Sequence, residues 1–289
     1  MIVIRLLGGL GNQMFQYAFG RRLALERGVP LKLDIESFRS DKLRNYELGH
    51  LNIKAELAHK ADLANMIPWP QRLHPRLARL GRYWPSRMPT VHERGFQFNP
   101  AALNCGSSAY LIGYWQSERY FSTIADTIRA EFQPVQPLSA QRIALAEQMA
   151  TVNAISLHVR RGDYASNPVT LEHHGLCPIE WYVEAMGRMA ERIIDPVFFV
   201  FSDDPEWTRS NLPHRWPLVF VDPQGDGRDF EDMHLMARCR HHITANSSFS
   251  WWGAWLNPRP DKLVFAPRRW FATNALDTRD LIPDTWSRL

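Results

Sequence analysis

The segment HVRRGD (158–163) holds the densest group of chemically active side chains in the sequence. It ends a strand-like apolar run, and ligands of open α/β sheets gather at the carboxyl ends of the strands. A guanidinium can bind a phosphate through two parallel hydrogen bonds. Because side chains alternate along a strand, His158 and Arg160 share one side, and we predict that they bind the ligand. Arg161 and Asp163 are expected to support them; a plain surface ion pair is the alternative.

A second group of polar residues, NSSF (246–249), stands where a strand-like run passes into a helical stretch. The free N–H groups of a helix N-terminus bind anions, and the hydroxyls of Ser247 and Ser248 lie beside Phe249. Asn246 and Ser247 are also N-cap candidates, so a well-capped helix with buried tryptophans is the alternative. We predict an anion site at this turn, in the same sheet as the arginine pair.

The helical stretch 229–239 supplies Asp232 and His234 to the same sheet. A carboxylate can accept two N–H bonds from the edge of a guanine, so Asp232 is a candidate for base recognition. The acidic pair Asp203-Asp204 follows another strand and could bind a metal. We expect instead that Asp203 caps the helix that begins at the next proline, and we predict no metal site.

A glycine turn, GGLGNQ (8–13), separates the first strand-like run from a helical stretch. Glycines let a ligand approach the backbone, so Gly11, Asn12 and Gln13 are candidates to bind a polar ligand, with a tight turn as the alternative. A dinucleotide fingerprint with Asp34 as the ribose-binding acid would indicate an NAD-dependent oxidoreductase. That interpretation fails on spacing, because a methionine stands where the third glycine belongs.

The elements that must position these residues alternate between apolar runs and helical stretches, which is typical of doubly wound parallel sheets. We predict two Rossmann-like domains, 1–150 and 151–289, joined near 134–152. The pattern weakens between 41 and 110, where prolines break up an arginine-rich stretch. The predicted strands are 2–7, 31–35, 110–114, 154–160, 197–202, 218–222, 241–246 and 262–267. The predicted helices are 13–27, 117–132, 139–150, 179–194, 205–212, 229–239 and 247–256.

The composition is that of an ordinary globular protein: of 289 residues, 45% are apolar, and the formal net charge is +4. This excess of positive charge is too diffuse to indicate nucleic-acid binding, although it suits an anionic ligand. Three widely spaced cysteines without a CxxC motif exclude a disulfide framework and a zinc module, and they favour a reducing compartment. Eleven tryptophans exceed what a core needs, and the surplus often contacts sugar rings.

The sequence contains no apolar run long enough to span a membrane, and the short apolar N-terminus has no basic region before it. We therefore expect a soluble, cytoplasmic protein. One basic amphipathic face is predicted to be a solvated surface, with peripheral contact to the inner face of a membrane as the alternative. Its arginines are Arg72, Arg76, Arg79 and Arg82.

Taken together, the segments GGLGNQMFQYA, HVRRGD and NSSFSWWGAWL resemble the alpha-1,2-fucosyltransferases of glycosyltransferase family eleven, in their bacterial soluble form. The segments lie in order and spread over residues 8–256. The resemblance implies a GT-B fold, in which two Rossmann-like domains with parallel sheets face each other across a cleft. It implies inverting transfer of L-fucose from GDP-fucose to O2 of a galactose-terminated oligosaccharide, with no cofactor, no essential metal and no nucleic-acid partner. A nucleotide-sugar binding protein without catalysis is the alternative.

The resemblance also implies roles for individual residues. Arg160 would hold the diphosphate of GDP. Asp163 is the nearest carboxylate of the motifs to act as a general base for the acceptor hydroxyl, and pairing with Arg161 to orient it is the alternative. Asp232 would read guanine, and residues 36–125 would form much of the acceptor side. The remaining substrate-binding residues would be Gly11, Asn12, Gln13, His158, Arg161, Asn246, Ser247, Ser248 and Phe249. The aromatic side chains that could stack on the acceptor sugar are Trp69, Trp84, Tyr114 and Trp115.

Overall fold

The computed structural model describes residues 1–41, 43–64, 89–223, 227–273 and 276–289. Two compact units divide these residues. The first comprises Met1–Gln133 with Arg279–Leu281, and the second comprises Pro134–Thr278 with Ile282–Leu289. No helix of the described segments is both long and apolar enough to cross a membrane.

The first unit is a parallel sheet with helices. Its strands and helices, in chain order, are β1 (Ile2–Arg5), α1 (Leu10–Arg27), β2 (Leu31–Asp34), β3 (Glu56–Leu57), α2 (Lys60–Ala64), β4 (Thr90–His92), β5 (Ala109–Ile112) and α3 (Ala125–Glu131). Over the described ranges the strand order is β3-β2-β1-β5-β4, and every pairing is parallel. The predicted opening strand, helix and strand are confirmed. Helix α1 begins at Leu10 rather than at Gln13, because Gly9 already occupies its N-cap.

The second unit contains a longer parallel sheet. Its elements are α4 (Ala140–Ala150), β6 (Asn153–Val159), α5 (Gly162–Ser166), α6 (Pro168–His174), α7 (Ile179–Ala190), β7 (Pro196–Ser202), α8 (Pro205–Asn211), β8 (Leu218–Val221), α9 (Asp229–Arg238), β9 (His241–Ile243), α10 (Ser248–Leu256), β10 (Val264–Ala266) and β11 (Ser287–Arg288). Among the described residues the strand order is β11-β10-β9-β6-β7-β8, again with every pairing parallel. The central strands β6 and β7 are buried almost throughout, which explains their continuous apolar sequences.

The boundary between the units falls between Gln133 and Pro134, at the start of the predicted junction. A boundary at 150/151 would assign α4 to the first domain, whereas its side chains bond to the second. Ser139 donates two hydrogen bonds to Glu231, and Arg142 donates one to the carbonyl of Asp222. These polar contacts hold α4 in the second unit.

The predicted helix 117–132 is shorter in the structure than its sequence pattern indicates. Two single turns of 3₁₀-helix, Glu118–Tyr120 and Ser122–Ile124, precede α3. Phe121 lies between the two turns with an extended φ of −144°, which no α-helix accommodates. The apolar spacing in this stretch therefore reflects burial of Tyr120 and Phe121 rather than one continuous helix.

The chain returns to the first unit near its end. Asp280 accepts a hydrogen bond from the backbone N–H of Phe98 at 3.0 Å and lies 2.7 Å from a guanidinium nitrogen of Arg119. The chain then re-enters the second unit and ends in β11, which pairs with β10 at the edge of the sheet. The last residues of the sequence thus contribute to both units.

Tryptophans of the second unit form part of its core. Trp251 and Trp252 of α10 are fully buried, with ring centroids 5.0 Å apart, and Trp255 and Trp286 pack on Trp251. These four account for a large part of the tryptophan content by packing alone. The predicted surplus for sugar binding is correspondingly smaller.

Candidate functional site

The two polar segments of the second unit meet at a topological switch point. Strand β6 lies between β7 and β9, and a ligand crevice of an open α/β sheet forms where the strand order reverses. HVRRGD leaves the carboxyl end of β6, and NSSF leaves that of β9. The rings of His158 and Phe249 lie 5.9 Å apart. The structure therefore brings together the two segments that the sequence singled out in this unit.

Arg160 is held between two carboxylates. One guanidinium nitrogen lies 2.8 Å from Oδ2 of Asp203, and the other donates a hydrogen bond to Asp163. The guanidinium carbon is 5.0 Å from the ring centroid of Tyr164. About a fifth of the side chain, 20%, remains exposed. The predicted partnership of Asp163 with Arg161 is therefore wrong: Asp163, in the first turn of α5, pairs with Arg160 itself.

Arg161 points to a different element. Its Nε lies 3.1 Å from Oδ2 of Asp204, and its guanidinium carbon is 3.9 Å from the ring centroid of Trp207. Asp204, not Asp203 as predicted, caps α8 by accepting the N–H of Trp207. Arg161 thus contacts the N-terminal turn of α8, whereas the Asp203 carboxylate pairs with Arg160.

Asp203 is a site residue that sequence reasoning missed. Its Oδ1 accepts the backbone N–H of Arg161 at 2.8 Å, while its Oδ2 contacts Arg160. It stands one residue beyond β7, and β7 pairs with β6 along its whole length. That position at the carboxyl end of a neighbouring strand is the signal that could have identified it.

Gly162 lets the Asp203 carboxylate approach the backbone. A Cβ atom at position 162 would lie 2.9 Å from Cγ of Asp203, closer than real Cβ contacts allow. The glycine in HVRRGD is therefore explained by packing against the acid that positions Arg160.

His158 is buried and neutral. Burial, reinforced by the charge of Arg160, lowers its pKa to about 3. Its Nδ1 has no hydrogen-bond partner within the described parts of the chain. A neutral imidazole with an unused polar atom, beside a fixed cation, is suited to bond a ligand atom that enters the crevice.

The NSSF turn divides into structural and accessible residues. The amide nitrogen of Asn246, which is 2% exposed, donates to the carbonyls of His174, Gly175 and Trp270. Ser247 caps α10 by accepting the N–H of Phe249. Ser248 and Phe249 are half-buried. Asn246 therefore joins three loops rather than presenting its amide nitrogen to a ligand, as we had expected of a substrate-binding residue. The side chains of Ser248 and Phe249 are partly exposed at the N-terminus of α10.

Asp232 lies on α9 against a buried arginine. The Nη2 atom of Arg142 is 2.5 Å from its Oδ1, and burial raises the pKa of Asp232 to about 7. His234 is two residues further on, about 200° around the helix, so the two side chains do not share a face. Burial lowers the pKa of His234 to about 4. Only Asp232 of the pair contacts Arg142.

In the first unit, the glycine turn follows β1, the strand between β2 and β5. Gly8 has φ of +74°, and a Cβ there would lie 2.5 Å from the amide nitrogen of Asn12. Oδ1 of Asn12 accepts a hydrogen bond from Gln116 at 2.7 Å, and Gln116 follows β5. These amides therefore occupy the switch point of the first sheet.

The other two predicted residues of this turn are buried. Gln13 donates to the carbonyls of Gly8 and Asn45 and accepts the N–H of Glu47, so its amide fixes the loop at 45–47. Gly11 is buried inside the first turn of α1. Of the three predicted residues, Asn12 has the side chain that is partly exposed at the sheet edge.

Glu93, which sequence reasoning missed, lies beyond β4 at the same edge. Its carboxylate accepts the N–H groups of Tyr114 at 2.6 Å and Trp115 at 2.9 Å, and burial raises its pKa to about 7. Tyr114 is half-buried and stacks on Phe96 with ring centroids 6.4 Å apart. No motif marks Glu93, because its strand has three residues and an irregular neighbourhood.

Of the aromatic residues predicted to contact a sugar, only Tyr114 is both described and partly exposed. Trp115 is 1% exposed and packs on Phe19 and Tyr120, so it belongs to the core. The remaining two, and the basic face, lie outside the described residues. They are Trp69 and Trp84, and Arg72, Arg76, Arg79 and Arg82.

Asp34 is not available to bind a ribose. It is buried, and its carboxylate accepts the hydroxyl of Tyr110 at 2.5 Å and the N–H of Glu36 at 3.0 Å. This arrangement argues against the oxidoreductase interpretation. Across the described ranges, no three His, Cys, Asp or Glu side chains are grouped to hold a metal.

The chain thus consists of two α/β units with parallel sheets. The second unit has a fixed arginine and a helix N-terminus at its switch point. The family model described as Glycosyl transferase family 11 matches residues 90–287. The chain therefore belongs to glycosyltransferase family 11 and is a glycosyltransferase.

Known relatives and a solved structure are consistent with this family. The chain is 35% identical to an alpha-1,2-colitosyltransferase of Escherichia coli over 100% of this chain and 99% of the relative. It is 27% identical to galactoside alpha-(1,2)-fucosyltransferase 2 of Oryctolagus cuniculus, over 89% and 67% respectively. The crystal structure of the NodZ alpha-1,6-fucosyltransferase soaked with GDP-fucose has a similar fold, with a TM-score of 0.52 at 16% identity, covering 91% of this chain and 94% of that one. The fold is of the GT-B type.

Proposed function

We propose that this protein transfers L-fucose from GDP-fucose to O2 of a galactose residue in a glycan, with inversion at the anomeric carbon. The observation that carries the proposal is Arg160, fixed by Asp163 and Asp203 at the switch point beside the N-terminus of α10. The names of the rabbit relative and of the NodZ complex support the sugar, the linkage and the guanine nucleotide.

The reaction places new negative charge on the departing diphosphate. As the bond from C1 of the sugar to the β-phosphate oxygen breaks, GDP takes the electron pair. The acceptor O2 bonds to C1 from the opposite face and releases its hydroxyl proton to water. A guanidinium already held in place stabilises that charge without reorganising, and each such donor is worth about 10²–10³-fold in rate. The N-terminus of α10 adds its positive dipole end.

The proposal includes transfer without a metal ion. Arginine remains protonated at all working pH values, and its planar fork matches the oxygens of a diphosphate. Arg160 can therefore fill the charge-neutralising role that Mg²⁺ has in other nucleotide-dependent enzymes. Undiminished turnover in excess chelator is the expected result.

We assign the acceptor glycan to the first unit. Its sheet edge offers the partly exposed amide of Asn12, the Glu93 carboxylate and the stacked ring of Tyr114. Amides and carboxylates hydrogen-bond sugar hydroxyls, and an aromatic face covers the apolar side of a pyranose.

A second candidate donor is GDP-colitose. The colitosyltransferase of Escherichia coli is 35% identical over the whole chain, which favours it. Colitose differs from L-fucose by the loss of one hydroxyl, at C3. A site that bonds this hydroxyl would discriminate strongly, since a buried polar group left unpaired costs about 1–3 kcal/mol.

The test is a transfer assay with GDP-fucose and GDP-colitose in parallel, on a panel of β-galactosides and their 2-deoxygalactose counterparts. We expect one donor to be transferred to the galactosides alone, with an α1,2 linkage by NMR. Tight binding of GDP without transfer to any galactoside would indicate a binding protein and contradict the proposal. Transfer to the 2-deoxy acceptors would contradict the assigned position.

A further inference from the structure

Helices α4 and α9 meet through two acidic residues that are used differently. Glu231 is fully buried; it accepts two hydrogen bonds from Ser139, at 3.0 and 2.9 Å, and pairs with Arg228. Asp232 points elsewhere on the helix, and 16% of its side chain is exposed. Glu231 therefore ties the helices together, whereas the Asp232 side chain is partly exposed.

Arg142 pairs with Asp232, the partly exposed residue of these two acids. It is 3% exposed; its Nη2 donates to the carbonyl of Asp222 at 2.8 Å and lies 2.5 Å from Oδ1 of Asp232. Asp222 follows β8, so the arginine is anchored at the carboxyl edge of the sheet. The carbonyl bond fixes where the guanidinium sits, and the guanidinium in turn fixes the carboxylate.

The charges around Asp232 act in opposite directions on its pKa. Burial raises its pKa to about 7, Asp229 and Glu231 on its own helix push it further up, and Arg142 from α4 opposes them. Removing the arginine would leave the carboxyl group protonated at neutral pH. Asp232 thus depends on Arg142 for its negative charge.

We propose that Arg142 is a positioning residue for the donor nucleotide: it holds the Asp232 carboxylate in place, as an anion, for the guanine base. This inference rests on the proposed function, in which the donor carries guanine. An ionised carboxylate accepts both the N1–H and the 2-amino group of guanine, whereas a protonated one presents an O–H to those donors. Arg142 itself, buried behind Asp232, does not touch the base.

The test measures GDP binding by calorimetry between about pH 6 and pH 9 for the wild type and for Arg142→Met, Arg142→Lys and Ser139→Ala. In the wild type, affinity weakens as pH falls below about 7, approaching tenfold per pH unit. Arg142→Met moves this midpoint to higher pH and weakens GDP binding at pH 7 by about tenfold or more. Arg142→Lys retains the charge and restores part of both effects.

Ser139→Ala is the matched control, because it removes a bond between the same two helices without contacting Asp232. We expect it to leave the pH profile unchanged. Inosine diphosphate, which lacks the 2-amino group, is the second probe: the preference for GDP over it should shrink in Arg142→Met.

The outcomes separate the inference from the function on which it rests. If the wild type does not bind GDP, the proposed function fails. If it binds GDP and Arg142→Met shows the wild-type affinity, preference and pH profile, only the role of Arg142 fails. Should Arg142→Met not fold, Arg142→Gln is measured in its place, and wild-type affinity, preference and pH profile in that variant would overturn the inference.

Discussion

The switch points of the two sheets occupy equivalent places in their units, yet they differ in chemistry. In the second unit the edge carries Arg160 and its carboxylate partners beside a helix N-terminus. In the first unit it carries the amides of Asn12 and Gln116, with Glu93 close to the backbone of the next loop. One topology therefore offers a fixed guanidinium in one unit and amides beside a carboxyl group in the other, which suits the charged donor and the uncharged acceptor that we propose.

The largest expected effect is the loss of Arg160. Arg160→Ala removes the fixed positive charge, and we expect kcat/KM to fall by about 10²–10³-fold or more. Arg160→Lys should recover only part, because it lacks the fork that matches two oxygens. Arg188, exposed and paired with Glu184, provides the control substitution Arg188→Ala. A kcat/KM for Arg160→Ala within a few-fold of the wild-type value would contradict a charged role for the switch point of the second unit.

The two asparagines that were predicted to bind a ligand should respond differently to alanine substitution, one in stability and the other in KM. Asn246→Ala leaves one buried and two partly buried carbonyls without their donor, and we expect a loss of about 2–4 kcal/mol in unfolding free energy. Asn12→Ala should cost less than about 1 kcal/mol but raise the KM for the acceptor, with GDP affinity unchanged. Urea unfolding and steady-state kinetics measure both. Equal stabilities for the two variants would contradict the structural role of Asn246.

A smaller effect is expected from crowding the acid behind Arg160. Gly162→Ala places a methyl group against Asp203, and we expect kcat to fall about tenfold while the melting temperature changes little. Gly187→Ala, in α7 where the nearest atom is 3.9 Å away, is the matched control. It should leave kcat unchanged and add up to about 1 kcal/mol of stability. Equal kcat values in the two variants would count against positioning by Asp203.

The last prediction distinguishes the two units by the pH dependence of their stability. The pKa of His158 is lowered to about 3, so below pH 6.5 the unfolded chain binds more protons and stability falls. Between about pH 7.5 and pH 5 this residue should remove about 2 kcal/mol, which His158→Asn abolishes. Glu93 acts oppositely: its raised pKa adds stability as pH falls from about 7. His214→Asn, at an exposed position, is the control, and an unaltered pH dependence in His158→Asn would refute the assignment.

Local patterns predicted the elements well where the chain alternates regularly. The strand at β6, the helix at α10 and the turn between β1 and α1 could all be read from apolar spacing and glycine positions. The start of α1 at Leu10 could be located only from the backbone conformation. The residue types of Gly9 and Gln13 are compatible with positions before a helix or in its first turn.

Partners between distant segments could not be predicted. Asp203 is 43 residues from Arg160, and only the pairing of β7 with β6 brings it there. Similarly, nothing near Asp232 in the sequence indicates Arg142, because the two come from helices separated by three strands along the chain. Motifs thus identified the candidate site residues, whereas the side chains that orient them depend on strand order.

The return of the chain at Arg279–Leu281 limits how this enzyme can be dissected. Asp280 completes a loop of the first unit, while the residues after it supply an edge strand to the second. A protein truncated after Thr278 would lose the contacts of Asp280 in the first unit and the edge strand β11 of the second. Expression of residues 1–133 as an autonomous fragment therefore requires a graft of the Arg279–Leu281 segment.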